Sequence, residues 1–373
     1  MSGELRGRRV LFLFSTLSFG GAERQGLLVA EHLLAAGAQV SVWGLAPARD
    51  GQLDARCRAL GIRPRHVHCP QPQLEARRLA GLARFALLLR AARPDVLLPA
   101  THIPNLVASL SWRAGGARLC VWNQRDEGIG LDGSRLQRFA ARRCPLFVSN
   151  TARGAEVLSE RLGVDPRRVR YLPNGVALPA PRRDRAAWRA ELGVAPAQPL
   201  ACMLASYSVH KDHETLLRAW PRVREAAPGA TLILAGKRGG TRGRLERLAR
   251  ELELGEAVRF RDSTPDVAGL LGAVDLLVHS SVAEGQPNAV LEGMASGLPV
   301  VASSAGAAVA LDDPAQQVPV GDVRAWAERV AALLRDPAER ARLGERNRER
   351  VEREFSRARM VARWSELLRE HLR

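Results

Sequence analysis

Short apolar runs separated by segments of helical periodicity make up most of the chain. The first half begins with RRVLFLFS (8–15), followed by a helical pattern that ends at Gly37 and a second apolar run, AQVSVWGLA (38–46). Such runs, rich in Val, Leu and Phe, are typical of strands that are buried on both faces of a parallel sheet. Their alternation with helical segments predicts an α/β protein with doubly wound parallel sheets.

The apolar runs form two series separated by a segment without periodicity. The second series begins with PLACMLASYS (199–208). Residues 173–185, between the two series, are rich in proline and follow neither a helical nor a strand period, which indicates a linker. A chain of 373 residues suits two domains. We therefore predict an N-terminal domain over 1–178 and a C-terminal domain over 179–354.

The segment EGQPNAVLEGMASGLPVVASS (284–304) contains two glutamates eight positions apart. Its pattern predicts a loop over 284–287, a helix from about 288 to 296 and then a strand. The loop and the helix N-terminus would lie at the carboxyl edge of the sheet, where α/β proteins bind ligands. There Glu284 can face a ligand, and Glu292 can accept hydrogen bonds from a vicinal diol. In the purely structural alternative, Glu284 caps the helix and Glu292 is solvated.

Three further loops follow predicted strands and contain groups suited to binding anions. Gly20 and Gly21 form a turn before the first helix, where the backbone can approach a phosphate and the helix N-terminus favours negative charge. Lys211 precedes another helix and can neutralise a diphosphate. Gly236 and Arg238 lie in a GKRGG loop that could contact phosphate or ribose. Each loop also fits the plainer interpretation of a surface turn.

The segment 284–304 resembles the E-x7-E signature of glycosyltransferase family 4, retaining enzymes of the GT-B fold that use nucleotide-sugar donors. LSFGGAERQ (17–25) resembles the GGAE loop of that family, and KDH (211–213) is similar to its KDH or KG motif. The resemblance implies a GT-B fold of two Rossmann-like, doubly wound domains facing a central cleft. It also implies a C-terminal helix, about 355–373, that packs back on the N-terminal domain.

The resemblance implies roles in binding a nucleoside diphosphate sugar. Glu284 would hold the sugar, Glu292 the ribose, and Lys211 would balance the charge of the diphosphate near Gly20 and Gly21. The remaining donor-binding residues would be Gly236, Arg238, Gly285, Gln286, Pro287 and Asn288.

Two positions depart from the family's pattern. Relatives often have a histidine where this chain has Arg125, and an arginine where it has Ser206. Because arginine cannot act as a base at neutral pH, Arg125 would bind or stabilise charge. His102 is the nearby alternative histidine, although a lone histidine also fits a packing role, and Arg238 could replace the missing arginine. The candidate catalytic residues are His102, Arg125, Lys211 and Glu284.

The chain is strongly basic, with 56 Lys and Arg against 39 Asp and Glu and a net charge of +17. This charge favours anionic partners such as nucleotide diphosphates, an acidic membrane surface or nucleic acid. Basic and aromatic residues are not interleaved, which argues against nucleic acid. We expect a peripheral enzyme that meets a lipid-linked or growing surface glycan at an acidic membrane.

Five scattered cysteines without metal-ligand spacing predict reduced thiols in a cytoplasmic protein, at most peripheral on the inner face of the cytoplasmic membrane. The sequence has no DxD motif, and we expect neither a metal nor another cofactor. The alternatives are a catalytically silent GT-B protein that binds nucleotide sugars or glycans, and a GT-B sugar-nucleotide epimerase.

Overall fold

The computed structural model describes residues 5–46, 51–69, 76–305 and 310–372. The chain divides into two compact units. The N-terminal unit comprises Met1–Gly175 with Arg357–Arg373, and the C-terminal unit comprises Val176–Ser356. Each unit has its own hydrophobic clusters and its own parallel sheet, so each is described by itself.

A parallel sheet of seven strands, as far as the chain is described, forms the centre of the N-terminal unit. The strands are β1 (Arg9–Thr16), β2 (Gln39–Ala46), β3 (Arg65–His66), β4 (Val96–Pro99), β5 (Leu119–Gln124), β6 (Leu146–Ser149) and β7 (Val169–Tyr171). Their order across the sheet is β3-β2-β1-β4-β5-β6-β7. The chain therefore reverses its direction of travel between β1 and β4, which is the topological switch point where such sheets bind ligands.

Helices cover both faces of this sheet. They are α1 (Gly21–Ala35), α2 (Gln52–Ala59), α3 (Ala76–Ala92), α4 (His102–Ser111), α5 (Arg135–Arg143), α6 (Ala152–Leu162) and the C-terminal helix α14 (Arg357–Leu372). The apolar stripe of α14, with Trp364, Leu367 and Leu368, is buried in the same cluster as β1. The prediction that the last helix packs on the N-terminal domain is confirmed.

The C-terminal unit contains a second parallel sheet, with six strands among the described residues. They are β8 (Leu200–Leu204), β9 (Thr231–Ala235), β10 (Val258–Arg261), β11 (Leu276–His279), β12 (Val300–Ser303) and β13 (Gln317–Val318), in the order β10-β9-β8-β11-β12-β13. Its helices are α7 (Arg185–Glu191), α8 (His213–Ala226), α9 (Arg242–Glu251), α10 (Val267–Ala273), α11 (Asn288–Ala295), α12 (Val323–Arg335) and α13 (Pro337–Arg350). The switch point lies between β8 and β11, and the prediction of two doubly wound sheets is confirmed.

Candidate functional site

The loop between β8 and α8 holds Lys211 at the switch point of the C-terminal sheet. Lys211 ends a short 3-10 turn, and Asp212 caps α8 by accepting a hydrogen bond from the backbone N–H of Thr215. Asp212 has φ 45°, a left-handed conformation that is uncommon for a residue with a side chain. The hydroxyl of Ser280, just after β11, donates to the carbonyl oxygens of Lys211 (3.2 Å) and Asp212 (2.8 Å). The end of β11 therefore fixes the backbone that presents the lysine.

The loop between β11 and α11 brings Glu284 to this lysine. The ammonium of Lys211 donates to Oε1 of Glu284, and the two side chains are only 22% and 14% exposed. The same oxygen accepts a hydrogen bond from Ser281 at 2.8 Å and lies 3.2 Å from Nε2 of His279. Ser281 is fixed in turn by Ser303, whose hydroxyl donates to the Ser281 carbonyl. Three groups thus surround one carboxylate oxygen.

Glu284 is ionised at neutral pH. Burial favours the neutral acid, but the hydrogen bond from His279 and the positive charge of Lys211 outweigh it and lower the pKa of Glu284 to about 2. Burial also lowers the pKa of His279 in spite of the adjacent carboxylate. A neutral His279 gives its Nε2–H to Glu284, and the cluster has one positive and one negative charge.

Helix α11 continues from this loop. Pro287 is its N-cap residue and makes no side-chain cap hydrogen bond. Glu292 is only 4% exposed, which excludes the solvated role of the structural alternative. Residues 285–287 are buried and Asn288 is partly exposed. The N-terminus of the helix, with its partial positive charge, follows Glu284 directly.

Gly236 lies where the loop after β9 packs closely on the loop after β8. A Cβ at Gly236 would lie 1.8 Å from the carbonyl oxygen of Ala205, and one at Gly239 would lie 2.0 Å from that of Tyr207. The backbone N–H of Tyr207 donates to Lys237 across the same contact, at 3.1 Å. Glycine is required here by close packing, and the contact supports the loop that contains Lys211.

Arg238, in the same loop, is largely exposed and pairs with Asp262 at 2.9 Å. Asp262 follows β10 and also borders a cavity of about 380 Å³. Trp188 and Phe260 contribute aromatic surface to this cavity. The segment 261–265, which begins at the last residue of β10, therefore lines a space large enough for a flat, partly apolar group.

Gly20 and Gly21 lie at the switch point of the N-terminal sheet. Gly20 is the N-cap of α1, Gly21 is its first residue, and the carboxylate of Glu23 in the first turn lies 2.8 Å from where a Cβ on Gly20 would stand. Both glycines are exposed. The guanidinium of Arg56 lies 4.1 Å from the ring centre of Phe19, just before this turn. The helix N-terminus and the arginine together favour an anion.

His102 begins α4 at the same switch point, directly after Thr101, which has φ 72°. The side-chain amide of Gln137 donates to Nε2 of His102 at 3.0 Å. A Cβ on Gly130 would lie 2.5 Å from Nδ1, so the loop 128–133 rests on the imidazole. Burial lowers the pKa of His102, although the nearby carboxylates of Asp126 and Asp132 raise it. The ring is therefore neutral at neutral pH. His102 supports this loop, and its catalytic role stays a prediction.

Arg125 directly follows β5 and is mostly buried. It donates a hydrogen bond to Oδ1 of Asn174, which also accepts one from Asn150 at 3.3 Å. Gln25 and Gly175 exchange two hydrogen bonds, at 2.9 and 3.1 Å, which fix the backbone beside Asn174. Burial lowers the pKa of Arg125 to about 10, so the guanidinium remains charged at neutral pH. The arginine, like His102, occupies the carboxyl edge of the N-terminal sheet.

Two family models match separate halves of the chain. A model described as "Glycosyltransferase Family 4" matches residues 19–178, and one described as "Glycosyl transferases group 1" matches residues 198–336. The lipopolysaccharide core biosynthesis glycosyltransferase LpsE of Rhizobium meliloti is 32% identical over 243 residues, which cover 64% of this chain and 68% of LpsE. The chain belongs to glycosyltransferase family 4.

Other relatives of this family 4 chain are matched over less of their length. A D-inositol 3-phosphate glycosyltransferase of Nocardia farcinica is 34% identical over 210 residues, which cover 53% of this chain and 47% of that protein. The structure of Anabaena HepE in complex with UDP-glucose has a TM-score of 0.82 and 20% identity, and covers 96% of this chain and 99% of HepE. The sucrose-phosphate synthase of Thermosynechococcus elongatus gives 0.80 and 20%, with coverage of 97% and 99%. These likenesses confirm the GT-B fold.

The structure brings together some of the predicted residues of the family 4 chain and separates others. Lys211 and Glu284 are in direct contact, whereas Arg238 pairs with Asp262 instead. His279 and Ser281, which hold Glu284, were not predicted. They end the apolar run VDLLVHSS, and polar residues placed directly after a buried strand are the signal that would have indicated them. The same signal applies to Asn150, which follows β6.

Two further features of the family 4 chain are negative findings. Within residues 5–46, 51–69, 76–305 and 310–372, no group of three or more His, Cys, Asp or Glu side chains is arranged to hold a metal ion. None of the helices in these ranges combines the length and the apolar character needed to cross a bilayer.

Proposed function

We propose that this chain transfers a sugar from a nucleoside diphosphate sugar to a hydroxyl acceptor, with retention of anomeric configuration. The observation that carries the proposal is an ionised Glu284 beside Lys211 at the switch point of the C-terminal sheet. Membership of family 4 supports sugar transfer. Solved structures of HepE contain UDP or UDP-glucose, which supports a nucleotide-sugar donor for this chain.

In this reaction the bond between C1 of the sugar and the phosphate oxygen breaks, and a bond from C1 to the acceptor oxygen forms on the same face. The nucleoside diphosphate leaves with the bonding electron pair, and the acceptor proton passes to the departing phosphate oxygen. Lys211 would stabilise the diphosphate as its negative charge grows. Because its ammonium is already positioned by Glu284, little reorganisation accompanies the step.

Glu284 would hold the transferred sugar. Among the described residues, its contacts with Lys211, His279 and Ser281 all involve Oε1. Its other oxygen, Oε2, would accept a hydrogen bond from a sugar hydroxyl. An ionised carboxylate is the stronger hydrogen-bond acceptor, so the low pKa suits this role. The N-terminus of α11 would contribute the backbone of residues 285–288 to the sugar and phosphate oxygens.

Glu292 and the loop after β10 would bind the nucleoside. Glu292 on α11 is almost completely buried. Its carboxylate would accept hydrogen bonds from both hydroxyls of the ribose. The cavity beside residues 261–265, with Phe260 in its lining, would take the flat base by stacking and backbone contacts. Gly236 and Arg238, one strand away, would lie near the ribose and phosphate.

The N-terminal unit would supply an anion-binding turn and the acceptor site. Gly20 and Gly21 would offer backbone N–H groups to phosphate at the N-terminus of α1. The net charge of +17 supports peripheral contact with the acidic inner face of the cytoplasmic membrane. The acceptor there would be a lipid-linked or growing surface glycan. The test is liposome binding: binding to acidic vesicles that is lost at high salt is expected, and no binding at low salt would refute the membrane contact.

The donor site is tested by thermal shift with UDP-, GDP-, ADP- and TDP-sugars in the presence of EDTA. We expect one donor to raise the Tm of the wild type, and Glu292→Ala to lose most of this shift because the ribose loses its acceptor. Glu328→Ala, an exposed glutamate on α12, is the matched control and should keep the wild-type shift. If no nucleotide sugar changes the Tm, the donor site is refuted. A shift that requires a divalent cation would refute metal independence.

Turnover separates the proposed enzyme from the two alternatives. With the identified donor and a panel of lipid-linked and glycan acceptors, we expect a glycoside whose anomeric proton coupling matches that of the donor. Epimerised sugar nucleotide formed without an acceptor would indicate the epimerase. Donor binding without any product would indicate the silent binding protein.

A further inference from the structure

Arg125 is a mostly buried cation without an acidic partner. Among the described residues, its guanidinium makes one hydrogen bond, to Asn174, and no ion pair. Burial is the sole cause of its lowered pKa, with no neighbouring carboxylate to oppose it. A buried charge without a counter-ion is costly, and folded proteins normally pair it. The position of Arg125 therefore needs an explanation beyond folding.

Another buried arginine of the same chain shows what full compensation looks like. Arg189 is 3% exposed, lies 3.6 Å from the carboxylate of Asp275, and donates hydrogen bonds to three carbonyl oxygens. Those carbonyl oxygens belong to Ala195, Gln198 and Ala273. The guanidinium of Arg125 has one neutral amide as its partner among the described residues, whereas that of Arg189 has a carboxylate and three carbonyl oxygens. Among the described residues, the other four N–H groups of Arg125 make no hydrogen bond.

The side chains that join Arg125 in one hydrogen-bonded cluster are neutral amides. Asn174 accepts hydrogen bonds from both Arg125 and Asn150, so the three side chains form one cluster. Asn150 is 1% exposed, and its carbonyl oxygen Oδ1 has no hydrogen-bond partner among the described residues. A buried acceptor without a donor is rare in folded proteins. The cluster thus presents a cation and an unused acceptor side by side.

The cluster lies at one edge of the sheet, and Arg125 is its partly exposed member. Arg125, Asn150 and Asn174 directly follow or flank the carboxyl ends of β5, β6 and β7, and this edge is the ligand-binding edge of doubly wound sheets. The reciprocal hydrogen bonds between Gln25 and Gly175 fix the backbone beside Asn174. The guanidinium is therefore presented on a rigid frame at this edge.

We propose that Arg125, Asn150 and Asn174 form an anion subsite for a phosphoryl group of the acceptor. The guanidinium pairs with phosphate oxygens, and Oδ1 of Asn150 accepts a hydrogen bond from a neighbouring hydroxyl of the same ligand. The acceptor is thus a phosphorylated polyol or glycan. The identity of the ligand as an acceptor rests on the proposed function, whereas the phosphoryl subsite does not.

The first test is a titration with inorganic phosphate at constant ionic strength, followed by thermal shift and calorimetry. We expect Arg125→Gln to weaken phosphate binding by about 10- to 100-fold, the loss typical of a charge-assisted pair. Arg113→Gln is the matched control, because Arg113 is an exposed arginine of the same unit. Equal phosphate binding by wild type and Arg125→Gln would overturn the subsite.

Stability without phosphate separates a binding role from a folding role. If Arg125 serves a ligand, Arg125→Gln removes an uncompensated buried charge and leaves the Tm unchanged or higher. If the arginine serves the fold, the Tm falls, and the proposal is overturned. Asn150→Asp, which is nearly isosteric, places a carboxylate beside Arg125. We expect it to raise the Tm and to abolish phosphate binding.

A competition experiment distinguishes the two possible sources of the phosphoryl group. In protein saturated with UDP, phosphate should still stabilise the wild type but not Arg125→Gln, which assigns the subsite to the acceptor. If UDP abolishes the phosphate effect and Arg125→Gln weakens UDP equally, the group belongs to the donor and the acceptor assignment is overturned. If no nucleotide binds but the phosphate effect persists, the proposed function fails and the phosphoryl subsite stands.

Discussion

Replacing Glu284 by glutamine removes the carboxylate whose ionisation the site stabilises. The pKa of Glu284 falls from an ordinary 4.5 to about 2 in the folded chain. Since one pKa unit corresponds to about 1.36 kcal/mol, the ionised form is favoured by roughly 3 kcal/mol. The folded pKa is depressed, so this contribution is present above pH 4.5 and is lost as the pH falls from 4.5 towards 2. Glutamine has no such dependence.

The assay is urea unfolding of the wild type and Glu284→Gln between pH 7 and pH 3.5, followed by circular dichroism. The difference in free energy of unfolding between the two proteins should be constant near pH 7, above the ordinary pKa of 6.5 of His279, because Glu284 raises the folded pKa of that histidine and its loss changes how His279 titrates at lower pH. Below pH 4.5 it should shrink by about 1.4 kcal/mol per pH unit, because the wild type must then bind a proton to unfold. Carboxylates elsewhere titrate equally in both proteins and cancel.

The matched control is Glu328→Gln. Glu328 pairs with Arg324 at 2.7 Å, but these side chains are 64% and 79% exposed. An exposed pair of this kind contributes about 0–1 kcal/mol, so the control should show little change in slope over the same pH range. A difference between wild type and Glu284→Gln that stays constant from pH 7 to pH 3.5 would refute the stabilised carboxylate.

Two other predictions concern the frame around Lys211. Gly239→Ala places a Cβ 2.0 Å from the Tyr207 carbonyl, whereas a Cβ in Gly240→Ala meets nothing within 4 Å. Thermal unfolding should therefore show that Gly239→Ala alone lowers the free energy of unfolding, by about 1–3 kcal/mol. Equal losses in the two variants would contradict the packing argument. His213 is buried against Tyr207, and burial lowers its pKa to about 4. Because this histidine is neutral when folded and charged when unfolded below pH 6.5, the wild type should lose up to roughly 3 kcal/mol between pH 6.5 and 4, a dependence absent from His213→Phe. Parallel pH profiles of unfolding for the two proteins would contradict it.

The sequence was sufficient for the elements that depend on local pattern. Helix α11 begins at Asn288 as predicted, because the run after Pro287 has helical periodicity and ends at a glycine. Asp212 caps α8 because its short carboxylate reaches the backbone of Thr215. Helix α14 packs on the N-terminal domain as the family resemblance implied, with its apolar stripe, including Trp364, buried in the same cluster as β1. The first two features are set within a few residues of chain, whereas the packing of α14 joins distant parts of the sequence.

The candidate site depended on contacts that no local pattern contains. Lys211 and Glu284 are 73 residues apart, and they meet because β8 and β11 are neighbours in the sheet. His279 belongs to an apolar strand, and its polar role appears only when Glu284 folds back over the strand end. The two-residue strands β3 and β13 are also too short to leave a periodic signal.

The position of Lys211 is held more firmly than a surface lysine requires. Asp212, next to it, has φ 45°, a conformation that costs of order 1 kcal/mol or more unless neighbouring structure enforces it. Ser280 enforces it by bonding both carbonyls of the turn, and the backbone N–H of Val282 donates to His210 at 2.9 Å. A charge that is fixed before a ligand arrives needs no reorganisation when an anion develops beside it. Three hydrogen bonds thus hold this turn in an unfavourable backbone conformation. Such a rigid turn is expected for a lysine that stabilises a departing diphosphate.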